Sequence, residues 1–330
     1  MKCYCVANFR QALQMQDLPT PEPKGTEVLI EVRAAGVCHS DLHIWEGGYD
    51  LGNGKTLSLK DRGIALPLTM GHETAGTVVA MGPQATGVTK GRNYVVFPWI
   101  GCGKCTACLD GLENYCSAPQ YLGVYKAGGY ATHLLVPDSR YLFDIGDLDP
   151  AQIAPYACSG ITTYSALNKI GAHTFHKHNV VIMGAGGLGL MCLELLKAMG
   201  GKGAIVVDID PAKRQAALDA GAVAAIDGNH PDAIKQIIAA NGGVPVQAVV
   251  DLVGAPSTAS IAFDALIKGG KLVIVGLFGG AAPWPLAFIP MKAVSILGSY
   301  TGSLEEMRQL MQLVRDGKIK PIQVHKHALS

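Results

Sequence analysis

The spacing of apolar positions changes character near residue 150. Before that point, short segments alternate apolar and polar side chains: 26–37 ("TEVLIEVRAAGV"), 72–81 ("HETAGTVVAM"), 92–98 ("RNYVVFP") and 130–136 ("YATHLLV"). A period of two marks strands with one buried face. With Pro and Gly turns between them, these strands predict a β-rich first half resembling a partly open barrel. Beyond residue 150 the pattern alternates between periods. Residues 162–170 read as a helix, and "NVVIMGAGGLGLMCLELLKAMG" as a buried strand, a glycine turn and a helix. "AIVVDID", "QAVVDLV", "KLVIVGL" and "AVSILGS" are further apolar strands, and "PAKRQAALDAG" is a helix with Pro in its first turn and Gly beyond its end. Strand alternating with helix predicts an α/β unit with a doubly wound parallel sheet. Residues 303–316 read as an amphipathic helix opened by a capping box, Ser303 with Glu306.

Composition narrows the class. A chain of 330 residues has room for two domains, and 49% apolar residues with 41 glycines suit a turn-rich α/β protein. A net charge of +1 predicts neither a nucleic-acid nor an anionic-membrane partner, since both reward excess Lys and Arg. No run reaches the ~20 apolar residues of a membrane span. The start of the chain lacks the apolar core of a secretory signal. A cytoplasmic location is therefore expected, where the nine cysteines stay reduced.

Four of those thiols crowd one loop, "GCGKCTACLDGLENYCS": Cys102, Cys105, Cys108 and Cys116. Spacing this tight folds round one tetrahedral ion, so a closed, four-thiolate structural zinc is predicted. An iron–sulfur cluster is the competing occupant, because it also takes four cysteines. A closed site has no open position, so the chemistry belongs elsewhere.

Gly184, Gly186 and Gly189 form G-x-G-x-x-G between a strand and a helix, the context in which that pattern binds a dinucleotide. The helix N-terminus then faces the pyrophosphate. Asp208, ending the next strand, is the predicted acceptor for the adenosine ribose hydroxyls and favours NAD over NADP; Lys213 lies within reach of the same ribose. NADP stays open through Lys213 and Arg214. "HTFHKH" at 173–178 reads as a solvated loop, and Cys3, Cys5 and Cys192 as packing residues or free thiols.

Cys38 ("GVCHSD"), His72 ("GHE") and Cys158 ("ACSG") are the donor types of a catalytic zinc with one position left over. Spacing alone does not bring them together, and buried Cys or core His is the ordinary reading of each. Yet "GVCHSDLH", "GHETAG", the four-cysteine loop, "YACSGITTYSAL" and "GAGGLG", in this order, resemble the medium-chain, zinc-dependent alcohol dehydrogenases over about residues 1–325. The resemblance implies a GroES-like catalytic domain with its zinc lobe (1–154), a Rossmann NAD-binding domain (155–298) and a return segment (299–330). It implies that Cys38, His72 and Cys158 hold the catalytic zinc, with Glu73 close to the metal and Asp41 orienting His72.

The same resemblance implies a proton relay from Ser40 through a cofactor hydroxyl to His43 at the surface. It places His39 on the pyrophosphate, Gly187 and Leu188 in the phosphate turn, and Thr162 beside the nicotinamide. Val275 and Leu277 would hold the carboxamide through their backbone, and Tyr49 and Trp99 would line an apolar substrate pocket. The activity implied is reversible hydride transfer between a small primary or secondary alcohol and NAD in a homodimer or homotetramer, the dimer through an edge strand near "SILGSY", with two zinc ions per chain. Two alternatives stand beside it: an aryl-alcohol- or formaldehyde-directed relative, and a non-catalytic NAD- and zinc-binding interaction protein.

Three departures from the family pattern matter. Residues 50–63, "DLGNGKTLSLKDRG", lengthen the stretch from Cys38 to His72 and read as a polar surface loop. The spacing from Trp99 to Cys102 is shorter than the family's. The final helix and closing strand usual in the family do not follow "KPIQVHKHALS", so a truncated end is expected.

Overall fold

The computed structural model describes residues 1–282 and 284–329. The first half runs β1 (Lys2–Val6), β2 (Gln14–Asp17), β3 (Val28–Gly36), α1 (His39–Glu46), β4 (Gly48–Gly52), β5 (Lys55–Ser58), β6 (Leu68–Thr69), β7 (Glu73–Met81), β8 (Asn93–Val96), β9 (His133–Val136) and β10 (Leu142–Asp144). A five-stranded antiparallel sheet has the order β10-β8-β7-β3-β9, and a three-stranded one the order β2-β1-β6. The four predicted strands are present with trimmed ends. β1 and β2 were not legible in the pattern, because β2 is exposed along nearly its whole length and so carries no apolar face.

The segment predicted to be a surface loop is a β-hairpin instead. β4 pairs with β5, with Tyr49 opposite Leu57. Asn53 and Gly54 make the reversal with φ of 53° and 72°. Left-handed conformations at both central residues are what an Asn-Gly pair favours in a two-residue hairpin turn.

The second half runs α2 (Ser159–Ile170), β11 (Val180–Met183), α3 (Gly187–Ala198), β12 (Ala204–Asp208), α4 (Pro211–Asp219), β13 (Ala224–Asp227), α5 (Ala233–Ala240), β14 (Val246–Asp251), α6 (Pro256–Ala265), β15 (Leu266–Ile274), β16 (Ser295–Gly298) and α7 (Leu304–Arg315). Its sheet has the order β13-β12-β11-β14-β15-β16 with every neighbour parallel. The whole of β11 is buried, which explains its unbroken apolar run: helices cover both faces of a parallel sheet. The strand order reverses direction between β11 and β14, and ligands bind at the carboxyl ends beside such a switch point.

Smaller expectations are also settled. Ser303 Oγ accepts the Glu306 N–H at 3.2 Å while Glu306 returns a carboxylate to the Ser303 N–H at 2.9 Å, the predicted box. "HTFHKH" is no plain loop: Ala172–Phe175 is a short helix, and His176 Nε2 lies 2.9 Å from the Met199 carbonyl. Cys3, Cys5 and Cys192 are buried. Among the described residues no helix is long and apolar enough to cross a membrane.

Candidate active site

Three distant segments meet at one end of the first sheet. Cys38 caps α1, His72 directly precedes β7, and Cys158 directly precedes α2. The antiparallel register of β3 on β7 sets Gly36 opposite Glu73, which brings Cys38 and His72 to the same edge. A Cβ at residue 36 would stand 2.0 Å from Glu73 Oε2, so glycine there makes room for the carboxylate.

The donor atoms of Cys38, His72, Glu73 and Cys158 all lie within 4.8 Å of one another. Cys38 Sγ and Cys158 Sγ are 3.9 Å apart. Two thiolates at ~2.3 Å on one tetrahedral ion stand about 3.8 Å apart. His72 is buried, and its Nε2 has no hydrogen-bond partner among the described residues. A buried nitrogen left unpaired costs about 1–3 kcal/mol, so the donor set fits a metal ion, and thiolate with imidazole suits zinc.

Asp41, 2% exposed, holds the cluster in place. Its Oδ2 accepts the Cys38 N–H at 2.9 Å and the Tyr130 hydroxyl at 2.9 Å, and its Oδ1 faces His72 Nδ1 at 3.3 Å. That last pair is close enough for charge attraction but does not meet hydrogen-bond geometry. Burial pushes His72 toward the neutral imidazole, yet Asp41 and Cys38 outweigh it and its pKa is raised. Burial, then the charge of Cys38, pushes the Glu73 carboxyl up to about 8.

The relay candidates lie along α1. Ser40 sits in its first turn and not at the cap, which is Cys38. His43, expected at the surface, has a side chain only 12% exposed. Two rings cover it: the Tyr49 ring of the hairpin lies tilted at 4.7 Å from His43, and the His39 ring of α1 stands 5.1 Å from it. Burial, then His39, lowers the His43 pKa. Burial pushes the Tyr49 phenol up to about 12. The hairpin also reaches the second half, where Gly280 N–H donates to the Asp50 carbonyl at 3.2 Å. β15 ends at Ile274, so Val275 and Leu277 lie in the turn leading to that contact. Trp99 is buried, its ring 5.4 Å from His72, and its Nε1 donates to the Ala157 carbonyl at 2.9 Å.

At the second sheet, Gly184 turns with φ of 93° and Gly186 caps α3. A Cβ on Gly189 would lie 2.0 Å from the Gly184 carbonyl, whereas Cβ atoms on Gly186 or Gly187 would meet nothing within 4 Å. The turn is thus packed hard on its inner side and open on its outer side, a cradle that fits a pyrophosphate. Leu188 follows in the first turn of α3. Asp208 Oδ2 accepts the Ala185 N–H at 2.7 Å and Oδ1 the Asp210 N–H at 2.9 Å. A carboxylate has about four acceptor positions, so two remain for ribose hydroxyls. Lys213 is exposed, while Arg214 is drawn onto the Asp208 carbonyl at 3.0 Å and Asp227 at 3.6 Å. Thr162 is buried in α2 beside Cys158, its N–H on the Cys158 carbonyl at 2.9 Å.

Cys102, Cys105, Cys108 and Cys116 also keep their sulfurs within 4.8 Å of one another. Cys105 Sγ is 3.5 Å from Cys108 Sγ and 3.7 Å from Cys116 Sγ. Sulfurs this close surround one ion and leave no volume for a multi-iron core. Cys116 Sγ accepts N–H groups from Cys102 at 3.2 Å and Ala118 at 3.3 Å. Three residues that complete the site carried no sequence signal: Tyr130 behind Asp41, Tyr300 beside Trp99, and Asn114 within the cysteine loop. Each acts through contacts more than 80 residues away, as the Asp41–Tyr130 separation of 89 shows.

Comparison with known proteins agrees with this geometry. Residues 24–147 match the alcohol dehydrogenase GroES-like domain family, and residues 187–316 the zinc-binding dehydrogenase family. The chain is 37% identical over 322 residues to an NAD-dependent alcohol dehydrogenase of Sulfurisphaera tokodaii, covering 98% of this chain and 91% of that one. It is 32% identical over 324 residues to a D-arabinose 1-dehydrogenase (NADP(+)) of Saccharolobus solfataricus, covering 97% and 89%. The crystal structure of the alcohol dehydrogenase from Aeropyrum pernix superposes with a TM-score of 0.88 at 28% identity, covering all of this chain and 93% of that one.

Proposed function

The chain belongs to the medium-chain, zinc-dependent alcohol dehydrogenase family, and on that premise we propose how its residues divide the work. It is an NAD-dependent oxidoreductase that moves hydride reversibly between an alcohol and NAD. Zinc at the Cys38–His72–Cys158 cluster supplies Lewis acidity that lowers the pKa of the alcohol hydroxyl, and the nicotinamide supplies the hydride acceptor. The observation that carries this reading is the convergence of two thiols and an unpaired buried imidazole within 4.8 Å. Glu73, the fourth group in that cluster, lies where its carboxylate would be able to approach the metal.

Asp41, 3.3 Å from His72 Nδ1, holds the ring of His72 toward the cluster, as carboxylates behind metal-bound histidines do. Gly184, Gly186, Gly187, Leu188 and Gly189 cradle the pyrophosphate, with His39 against it. Asp208 binds the adenosine ribose and, with Arg214 already engaged, disfavours a 2′-phosphate; Lys213 reaches the same sugar. Thr162, Val275 and Leu277 hold the nicotinamide end. Tyr49 and Trp99 bound the alcohol. The Cys102–Cys105–Cys108–Cys116 zinc is structural. Nine unpaired cysteines support a reducing, cytoplasmic setting. Among the described residues β16 has a hydrogen-bonded neighbour on one side only, which supports a homodimer, or a tetramer of such dimers, joined there. Steady-state kinetics on primary, secondary and aromatic alcohols with NAD and NADP test the reading. Turnover with NAD and a metal content of two zinc per chain are expected, and a chain inert toward every alcohol sinks it.

The alcohol proton leaves through Ser40 to His43. Only neutral imidazole can accept it, and the lowered pKa of His43 keeps that form available through neutral pH and lets it fail only on acidification. His43→Gln should therefore cut alcohol oxidation near pH 7 by about tenfold or more. The deficit should shrink as pH rises and hydroxide replaces the base. A parallel offset at every pH in the kcat profile would remove His43 from the relay.

A further inference from the structure

The four-cysteine lobe is connected to the cleft through one side chain. Asn114 lies in the turn Glu113–Tyr115, between Cys108 and Cys116, so an ion held by those thiols would fix its position. It is 2% exposed. Its Nδ2 donates to the Tyr300 carbonyl at 2.9 Å, across 186 residues of sequence, and its own carbonyl accepts the Tyr121 hydroxyl at 2.8 Å. Tyr300 follows β16, and its ring packs on two aromatic neighbours. It stands 6.3 Å from the Trp99 ring and 6.3 Å from the Tyr121 ring, and Trp99 in turn stands 5.4 Å from His72.

Two observations show that this connection holds a shape the backbone would not keep unaided. Thr301, the next residue, has φ of 46°, a left-handed conformation that β-branched side chains avoid. Such strain persists only where surrounding contacts over-determine it. On the other side, Lys169 Nζ donates to Ser299 Oγ at 3.0 Å while lying over the Tyr115 ring of the lobe at 6.0 Å. The segment is thus tied at Tyr300 directly to the lobe and at Ser299 through Lys169. Tyr300 is 42% exposed, so its ring has an open side toward solvent. Its place in the cleft follows from the ring contact with Trp99, which itself stands against His72; burial, then Tyr49, Tyr125 and Cys158, raises the phenol's pKa.

We propose that Asn114 is a positioning residue through which the four-cysteine lobe sets the Tyr300 wall of the substrate cleft, and so sets which alcohols fit. The inference rests on the alcohol dehydrogenase reading above. It assigns the lobe a part in selectivity beyond holding the fold together. Asn114→Ala removes the donor. Asn114→Asp keeps the volume but presents a carboxylate that cannot donate to a carbonyl, and both variants keep the Tyr121 bond, which is to the backbone carbonyl.

The test is the ratio of kcat/KM for benzyl alcohol to that for ethanol, measured with NAD on the zinc-loaded enzyme. Both variants should raise that ratio by about tenfold, chiefly through KM, as the released ring yields to the bulkier alcohol. The KM for NAD should stay unmoved. Tyr300→Ala should shift the ratio in the same direction, and adding Asn114→Ala to it should change nothing further, because Asn114 acts through that ring. An unmoved ratio in variants with turnover, or additive effects in the double variant, overturns the inference while leaving the enzyme reading intact. If a variant sheds the lobe's zinc, the ratio still decides. Wild-type protein that oxidises neither alcohol overturns both readings together.

Discussion

Replacing His72 by alanine should lower alcohol turnover by at least about a thousandfold, because a Lewis acid contributes several kcal/mol to the barrier. The imidazole is one of four donors converging on the site, and its Nε2 has no partner among the described residues. Without it, two thiols and a buried carboxyl remain, and the ion loses both an anchor and the orientation that Asp41 imposes through His72 Nδ1 at 3.3 Å. NAD binding uses a different sheet, so cofactor affinity, read by quenching of intrinsic fluorescence, should hold within about twofold. Zinc content should fall by one ion while the four-cysteine lobe keeps its own. Loss of NAD affinity together with turnover would mean that His72 supports folding and does no more. A variant with near-normal turnover would remove the cluster from the mechanism altogether.

The second large effect is expected at Gly189. An alanine Cβ there would sit 2.0 Å from the Gly184 carbonyl oxygen, and the obstacle is backbone, which cannot swing aside as a side chain can. α3 must back away from β11, and the phosphate turn opens. Overpacking of this kind costs about 1–3 kcal/mol of stability. The displaced helix N-terminus also loses its aim at the pyrophosphate. Gly189→Ala should raise the dissociation constant for NAD by at least about tenfold, with a lower unfolding midpoint. Gly187→Ala is the matching control. Its Cβ meets no protein atom within 4 Å, so it should leave stability nearly unchanged and affect only the bound cofactor. Equal stability losses in the two variants would show that the close approach at Gly184 is not what the glycine serves.

Much of the molecule was readable from residues alone, for identifiable reasons. β11 and α3 announced themselves because a strand buried on both faces must be apolar throughout, and a turn that approaches both a helix and a phosphate must be glycine. The capping box at Ser303 was legible because both of its partners lie within one turn of helix. The Cys102–Cys116 loop was legible because its ligands share one short segment. The β4–β5 hairpin was misread as a loop although Asn53-Gly54 is a strong local turn signal, because the polar tone of the segment masked it. His43 was expected at the surface because the family resemblance ends the relay there, whereas its side chain is 12% exposed beneath the Tyr49 ring.

What the sequence determined by itself, then, is whatever is encoded over a few consecutive residues: period, turns, caps, the thiol loop and the phosphate turn. What only the tertiary structure decided is every relation across long stretches of chain. Among these are the meeting of Cys38 with Cys158 at 3.9 Å, Tyr130 behind Asp41, and Asn114 under Tyr300. The physical reason is range. Backbone preferences and hydrophobic period act between near neighbours, whereas these contacts arise when strand register and sheet packing fold distant segments together, and no residue type foretells its partner there.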